Sequence, residues 1–166
     1  ILHYDGNEWT PMENPANEWI MDVWGTNSSD VFAVAGEWDW GQILHYDGDV
    51  WEDMTGNLGH ALRGVWGTNS DDVFVVGQNG TILHYDGNEW EEMDSGTNLE
   101  LNSVWGTSSS DVYAVGDLGT ILHYDGSSWS AMSSGTGQFL HGVWGSSGSD
   151  VFAVGNHGTI VHYDGT

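Results

Sequence analysis

The fold is decided by the stretch WGTSSSDVYAVGDLGTILHYDGSSW, which runs from Trp105 to Trp129. In it, apolar runs of four to six residues alternate with turns of Gly, Ser and Asp. Such runs are typical of β-strands, and the pair Asp125-Gly126 indicates a tight hairpin. No window has a helical period long enough to compete. The stretch and its flanks therefore predict four antiparallel strands, at 102–106, 111–116, 120–124 and 129–132.

This unit repeats along the whole chain of 166 residues. Its third strand, Ile-Leu-His-Tyr or Ile-Val-His-Tyr, begins at Ile1, Ile43, Ile82, Ile121 and Ile160. Residues 82–120 and 121–159 are identical at 24 of 39 positions, which indicates recent duplication. We therefore predict one domain, 1–166, with repeats at 1–42, 43–81, 82–120 and 121–159, and with 160–166 beginning a further repeat.

Four antiparallel strands in about 40 residues are the size of one β-propeller blade. Ile121, Leu122 and Tyr124 place large apolar side chains on both faces of one strand, and both faces then have to be covered. Radial stacking of blades covers them without helices. A β-solenoid also stacks repeats, but its strands are parallel, which the Asp-Gly hairpin contradicts. The predicted fold class is all-β, a β-propeller with about four four-stranded antiparallel blades of 39–42 residues.

The composition excludes several functional classes. The chain has 25 Asp and Glu residues against one basic residue, Arg63, so its formal charge is −24 and no basic surface for a nucleic acid exists. No stretch approaches the roughly 20 apolar residues of a membrane helix, so we expect no membrane insertion. The lack of cysteine removes disulfides, thiolate zinc sites and cysteine nucleophiles, and leaves the redox compartment open.

The repeat resembles a bacterial propeller family built on WGxSSSDVFAVGxxGTILHYDGxxW, which residues 105–129 match almost letter for letter. The departures are Ala35–Gln42, where Glu-Trp-Asp-Trp-Gly replaces a short Gly turn, and Asp49-Val50 before Trp51. The resemblance implies propeller blades of large proteins that mostly carry no assigned activity. It also implies a secreted protein or one on the cell surface of a bacterium, and it supplies no catalytic residue.

The number of strands bears on the partners of the chain. The sequence begins at Ile1 and ends at Ile160–Tyr163, both times on a third strand, so it holds four blades and a spare strand. The open ends of such a piece present unpaired strand edges, which favour aggregation unless they are paired. Two chains joined into an eight-bladed ring, or further blades of a longer parent protein, would close these ends. A homo-oligomer is the preferred prediction.

Each repeat also carries a Trp, a Ser or Thr, an Asp and a His. Histidines of successive blades cannot share a metal, because stacked sheets lie about 10 Å apart and zinc needs its nitrogens at about 2.0–2.1 Å. We predict instead a buried hydrogen-bond chain within each blade, since a buried imidazole needs partners. The structural positions are Trp24, Trp66, Trp105, Trp144, Asp30, Asp72, Asp111, Asp150, His45, His84 and His123.

The candidate ligand-binding residues are found in the first repeat alone, where Trp38 and Trp40 alternate with Glu37 and Asp39 in a longer Gly-flanked loop. Indole rings can stack on a sugar ring while carboxylates bind its hydroxyl groups. A loop packed on its own neighbour is the alternative interpretation of the same four residues.

The remaining functional classes have weak signals. No Gly-x-Ser-x-Gly elbow occurs, and nothing places two carboxylates across a cleft as glycoside hydrolysis requires. We expect no cofactor, although loose Ca²⁺ binding by the many carboxylates stays open. The sequence thus predicts a non-enzymatic propeller scaffold or recognition module with a glycan or protein ligand. The alternatives are a carbohydrate-binding propeller and a hydrolase whose site lies in further blades.

Overall fold

A computed structural model of the protein describes residues 1–38, 40–55 and 58–166. The chain folds into short antiparallel sheets. The strands are β1 (Leu2–Tyr4), β2 (Trp9–Pro11), β3 (Ile20–Asn27), β4 (Asp30–Glu37), β5 (Trp40–Tyr46), β6 (Trp51–Asp53), β7 (Leu62–Asn69), β8 (Asp72–Gly77), β9 (Ile82–Tyr85), β10 (Trp90–Glu92), β11 (Leu101–Ser108), β12 (Asp111–Gly116), β13 (Ile121–Tyr124), β14 (Trp129–Met132), β15 (Leu140–Ser147), β16 (Asp150–Gly155) and β17 (Ile160–Tyr163). Three 3-10 turns, Gln78–Gly80, Asp117–Gly119 and Asn156–Gly158, follow the second strands of the later sheets. No helix in these described ranges is long and apolar enough to cross a membrane.

The strands form five sheets in chain order, each a simple up-and-down meander. The sheets β3–β6, β7–β10 and β11–β14 have four strands each, β1–β2 has two and β15–β17 has three. The prediction of four-stranded antiparallel units is thereby confirmed. In the third of the repeats, the predicted strands agree with β12, β13 and β14 to within one residue, and the first strand, β11, is longer than predicted at both ends.

The insertion of the first repeat differs from its prediction. The structure replaces the expected longer loop by an extension of the β4–β5 hairpin, in which Gly36 pairs with Gly41 and Glu37 pairs with Trp40. The two glycines make this extension possible. A Cβ added at Gly36 would lie 2.8 Å from the Cα of Ala61, and one at Gly41 would clash with the carbonyl oxygen of His60. The extra residues therefore continue the ladder because no side chain separates them from the next sheet.

The core lies between neighbouring sheets. Phe74 and Val76 of one sheet form a buried cluster with Leu101, Val112 and Leu122 of the next sheet. A second cluster joins β3–β6 to β7–β10, and a third joins β11–β14 to β15–β17. Burying a side chain such as Phe74 stabilises the fold by about 1.5–3 kcal/mol. Each sheet therefore depends on the next one for the cover of its apolar face.

The first strands of the successive sheets β3, β7, β11 and β15 lie beside one another and form the inner part of the molecule. The fourth strands lie at the far edge of each four-stranded sheet, and β6 and β10 carry Asp or Glu side chains there. The turns at one end of the inner strands, residues 27–30, 69–72, 108–111 and 147–150, have one length and consist of Asn, Ser, Gly and Asp, whereas the connections at the other end differ. We call the end with the similar turns the structural end and the end with the differing connections the candidate functional end.

Candidate functional site

The structural end carries the Thr, Asp and His of each repeat. In the second complete sheet, the Thr68 hydroxyl donates to Oδ2 of Asp72, and Oδ1 of Asp72 lies 2.7 Å from Nε2 of His84. The same chain recurs with Asp30–His45, Asp111–His123 and Asp150–His162, each at 2.8 Å. It connects the turn before the second strand to the third strand. The imidazole also stacks on Phe74, with ring centroids 4.4 Å apart.

Two parts of the sequence prediction need correction here. The chain of hydrogen bonds is half-buried, because the Asp and His side chains keep contact with solvent in every blade. In addition, no hydrogen bond in the described part of the structure joins the first-strand tryptophan to the Thr, Asp and His. Trp66 packs on Phe74 at a centroid distance of 6.3 Å and touches Gly106 of the next sheet. Trp24, Trp105 and Trp144 occupy the equivalent position on the first strands β3, β11 and β15.

No group of three or more His, Asp or Glu side chains within the described ranges could hold a metal ion. The repeated Asp and His of the structural end meet in pairs, and each pair belongs to its own sheet. Pairs of this kind tie strands together, so we assign them to the framework.

The opposite end of the molecule contains a cavity of about 560 Å³, which we call the mouth. It is lined by Trp19, Met21, Gly36, Glu37, Trp38, Arg63, Gln78, Asn102 and His141. These residues come from all four of the sheets that follow β2, so the mouth is formed by the radial arrangement itself. Trp19 and Trp38 are 69% and 78% exposed and offer their indole faces to solvent.

One position of the repeat supplies four of the lining residues. Met21, Arg63, Asn102 and His141 each stand second in the first strand of a sheet. Each follows a residue that barely changes between repeats, namely Ile20, Leu62, Leu101 and Leu140. The apolar residue anchors the strand in the core, whereas the second position varies among thioether, guanidinium, amide and imidazole. The framework thus holds four chemically different side chains at equivalent places around one cavity.

Hydrogen bonds within a sheet and between adjacent sheets hold two of these side chains, Arg63 and Asn102, in place. Nε of Arg63 donates to Oε1 of Glu100 at 2.5 Å, and its Nη1 donates to the carbonyl oxygen of Gly36 at 3.1 Å. Nδ2 of Asn102 donates to Oδ1 of Asp117 at 3.1 Å and to the carbonyl oxygen of Leu140 at 2.9 Å. The neighbouring blades therefore fix Arg63, and the blade of Asn102 together with the next one fixes Asn102, before any ligand arrives.

The structure brings together two of the four predicted ligand-binding residues. Glu37 and Trp38 line the mouth, and Trp38 adopts a left-handed backbone with φ of 55° at the tip of the hairpin. Trp40 is exposed on β5 but does not line the mouth. Asp39 lies outside the described residues.

Sequence reasoning missed Trp19, Met21, Arg63, Asn102 and His141 as neighbours. The variation at the second position of each first strand was visible in the sequence and could have pointed to Met21, Arg63, Asn102 and His141. Trp19 lies before β3, at a place where the other repeats have no tryptophan.

Comparison with known proteins gives the fold its name. No protein-family profile matches this sequence, and no curated protein does. A solved structure of YCF48 bound to D1 peptide is similar to the chain, with a TM-score of 0.70 and 18% sequence identity over 92% of this chain and 52% of that chain. YCF48 from Cyanidioschyzon merolae gives a TM-score of 0.68 and 14% identity over 87% of this chain and 50% of its own.

The fold is a β-propeller. At these identities the likeness concerns the fold alone, and this chain spans about half the length of the two propellers. The predicted fold class is confirmed by the likeness together with the four-stranded sheets.

Proposed function

We propose that this chain is a non-enzymatic recognition module that binds a protein or peptide partner at the mouth. The observation that carries the proposal is the distribution of differences between two closely similar repeats. Repeats 82–120 and 121–159 differ at 15 of 39 positions, and seven of the differences lie in three segments at the mouth end. These segments are the connection into the first strand, the start of that strand and the turn after the second strand, with residues 98–100, 102–103 and 117–118 in the third repeat.

Physical chemistry supports binding at this end. Exposed indoles rimmed by fixed polar groups are typical of interaction surfaces, because aromatic side chains bury much area at a small entropic cost. The mouth combines Trp19 and Trp38 with Glu37, Arg63 and Asn102. A propeller of the same fold, YCF48, is recorded in complex with D1 peptide, which supports a peptide as the class of partner to test first.

A peptide selection with a matched counter-selection tests the proposal. A phage-displayed peptide library is panned on the wild type, and enriched peptides are measured by calorimetry against wild type and two variants. The triple variant Trp38→Ala, Arg63→Ala, Asn102→Ala alters the mouth. The control Thr68→Ala, Ser146→Ala alters the structural end at hydroxyls that bond within their own sheets. We expect loss of binding by about 30-fold or more in the mouth variant alone. Equal binding to all three proteins would overturn the proposal.

A carbohydrate ligand is the second candidate, because Trp38 is largely exposed beside Glu37, which is the arrangement of a sugar-stacking platform. A glycan array with wild type, Trp38→Ala and Trp40→Ala separates the two candidates. Retention of one glycan class by the wild type and its loss in Trp38→Ala would favour the sugar, and a blank array would leave the peptide. Nothing among the described residues favours the hydrolase alternative.

We also propose that the open ends of this propeller are closed in the active form, either by a second copy or by further blades of a longer parent protein. Support comes from the apolar side chains that the two end sheets expose, among them Val23 and Trp144. The resemblance of the repeat to exported bacterial propellers supports a secreted or cell-surface location, which fractionation of the native host would test.

A further inference from the structure

The contact between neighbouring sheets follows one rule along the chain. The first-strand tryptophan of each sheet rests on a glycine of the next sheet, in the pairs Trp24–Gly67, Trp66–Gly106 and Trp105–Gly145. A Cβ added at these glycines would lie 2.8, 2.7 and 2.6 Å from Cη2 of the respective tryptophan, so only glycine leaves room for the indole. Gly67, Gly106 and Gly145 are buried by this contact.

A second part of the same contact lies farther out. Phe74 packs against Tyr124 and Trp129 of the following sheet, with ring centroids 5.9 and 6.4 Å apart. Phe32 packs in the same way against Tyr85 and Trp90. The first two junctions therefore join a Trp and a Phe of one sheet to a Gly, a Tyr and a Trp of the next. At the third junction Tyr113 stands in place of the Phe and packs against Tyr163.

The two end sheets expose complementary halves of this contact. On the last sheet, Trp144 is 61% exposed and Phe152 is also exposed. On the first complete sheet, β3–β6, Gly25 is exposed at the position of Gly67 and Gly106. Val23 beside it is 60% exposed, whereas its equivalent Val65 is 4% exposed. The last sheet thus presents the indole, and the first complete sheet presents the place where an indole rests.

The edges of the end sheets are complementary as well. In the described structure β17 has no fourth strand, and between the last two sheets lies a cavity of about 130 Å³ lined by residues that include Tyr113, Met132 and Tyr163. At the preceding junction the equivalent space holds Trp129, which contacts Phe74 and donates from Nε1 to Sδ of Met93 at 3.5 Å.

The strand β2 has the sequence position of a fourth strand, and its Trp9 is exposed. It pairs with β1 in the register Tyr4–Trp9, as Tyr124 pairs with Trp129. The segments Ile1–Tyr4 and Ile160–Tyr163 differ at a single position, which is Leu2 in the first and Val161 in the second. The strand β2 can therefore pair with β17 in the register in which it pairs with β1.

We propose that a second copy of this chain docks head-to-tail and donates β2 as the fourth strand of the last sheet. Trp9 of the second copy fills the cavity beside Tyr113, and Gly25 of the second copy receives Trp144. Two copies joined at both ends make eight blades. Two of these blades contain strands from both copies, and in them β17 of one copy takes the place that β1 has beside β2 of the other copy. The inference rests on the closure proposed above and chooses the second copy as the closing element.

Cysteine pairs test the shared blade directly, because the chain has no cysteine of its own. In the proposed register Pro11 of one copy lies opposite Val161 of the other, as Pro11 lies opposite Leu2 within the hairpin. Residues directly opposite in an antiparallel pair lie within disulfide range. The single variants Pro11→Cys and Val161→Cys are unfolded together, refolded as a mixture and oxidised. Each variant treated alone is the control.

We expect a disulfide-linked dimer from the mixture and none from either variant alone. We also expect the wild type to sediment as a particle of two copies in analytical ultracentrifugation. A two-copy particle without the mixed disulfide would overturn strand sharing and leave the closure proposal intact. A compact single-copy particle would overturn both. In a double variant that carries both Pro11→Cys and Val161→Cys, a disulfide within one chain without any between chains would overturn the second copy as the closing element.

A second variant pair tests the indole contact without new cysteines. Trp144→Ala removes the exposed indole of the last sheet, and Leu118→Ala removes an exposed apolar side chain in the turn of an interior sheet. We expect Trp144→Ala to raise the dissociation constant of the two-copy particle by about 30-fold or more and Leu118→Ala to leave it unchanged. Equal constants for the two variants would contradict the proposed docking.

Discussion

At the scale of the residue, one aspartate performs the same task in every hairpin between a third and a fourth strand. The Asp125 carboxylate accepts hydrogen bonds from the Ser127 hydroxyl at 2.7 Å and from the backbone N–H groups of Ser127 and Ser128 at 2.8 and 2.9 Å. These bonds, the hydroxyl first, lower the pKa of Asp125 to about 2 from the ordinary 3.8. The pKa values of Asp5, Asp47 and Asp86 are lowered in the equivalent turns, and hydrogen bonds from Thr166 lower the pKa of Asp164 after the last strand.

These lowered pKa values predict a loss of stability in acid. A carboxylate whose pKa is lower in the folded state contributes its full stabilisation above the unfolded value, here 3.8, and loses it as the pH falls through the folded value, about 2 for Asp125. We expect the melting temperature to fall across this interval. Replacing the five turn aspartates by Asn keeps the acceptor oxygen and removes the titration, so the pH dependence should flatten.

Calorimetry or circular dichroism at pH 2–5 measures this dependence. A charge-matched variant with Gln at Glu13, Glu18, Glu52, Glu91 and Glu92 is the control, because it removes as many charges outside the turns. A variant with Asn in the turns that melts with the pH dependence of the wild type would contradict the assignment.

Tyr113 differs from its three equivalents, Phe32, Phe74 and Phe152, by one hydroxyl group. That hydroxyl donates to the carbonyl oxygen of Gly148 in the next sheet at 2.7 Å, and burial is the main cause that raises the pKa of Tyr113 to about 12. Tyr113→Phe should lower the free energy of unfolding by about 0.5–1.5 kcal/mol, since a carbonyl partner is left without its donor. Urea denaturation measures the difference, and an unchanged midpoint would show that the hydrogen bond contributes nothing net.

At the scale of the element, the approach of two first strands depends on the glycine beneath each tryptophan. A Cβ at Gly106 would lie 2.6 Å from the carbonyl oxygen of Asp111 and 2.7 Å from Cη2 of Trp66, so the strands would have to move apart. Gly106→Ala should therefore destabilise the chain by about 1–3 kcal/mol. Gly137→Ala is the matched control, because no heavy atom lies within 4 Å of its added Cβ and its backbone is not left-handed.

The control should be neutral or stabilising by up to about 1 kcal/mol, since alanine restricts the unfolded chain more than glycine does. Thermal unfolding of both variants, followed by tryptophan fluorescence, gives the comparison. Equal losses in the two variants would show that the indole contact does not set the distance between the sheets.

The elements themselves were predictable to a large degree from the sequence. Strands β12, β13 and β14 follow from apolar runs between turn residues, because strand length and turn chemistry are local properties. The extended hairpin at Glu37 and Trp40 was not predictable in this way. Gly36 and Gly41 read locally as loop residues, and only their closeness to Ala61 and His60 on the next sheet makes them part of a ladder.

At the scale of the whole molecule, the charge of −24 works against compactness. Only one ion pair with a basic side chain, Arg63–Glu100, occurs in the part of the chain that the structure describes, so most carboxylates repel one another across the surface. Salt shortens the range of this repulsion from about 10 Å at 0.1 M to about 3 Å at 1 M. We therefore expect NaCl to raise both the melting temperature and the fraction of two-copy particles.

Differential scanning calorimetry over this range of NaCl, repeated with KCl, measures the effect, and a falling or flat melting temperature would contradict it. Ca²⁺ at constant ionic strength is the separate arm for loose metal binding. A rise with millimolar Ca²⁺ that Mg²⁺ does not reproduce would indicate specific sites, because a ligand of the native state stabilises it.

The mouth was predictable only in part, for a reason that belongs to this scale. Glu37 and Trp38 stood out because they are unique to one repeat, whereas Met21, Arg63 and Asn102 look unremarkable within their own repeats. They converge because successive sheets turn about a common centre, and that convergence is a property of the assembled blades. The strand count predicts unpaired strand edges at the two ends, whereas the matching halves of the end faces are visible only with Trp144 and Gly25 in place.

The tryptophan-on-glycine junction bears on how such a molecule changes in length over generations. Each unit carries a projecting indole on one side and a receiving glycine on the other, so a unit copied or deleted in its entirety leaves the flanking units still matched. Unequal crossover between similar gene segments would thus add or remove whole repeats while every tryptophan keeps a glycine to rest on. The side chains that differ from unit to unit would be free to diverge afterwards.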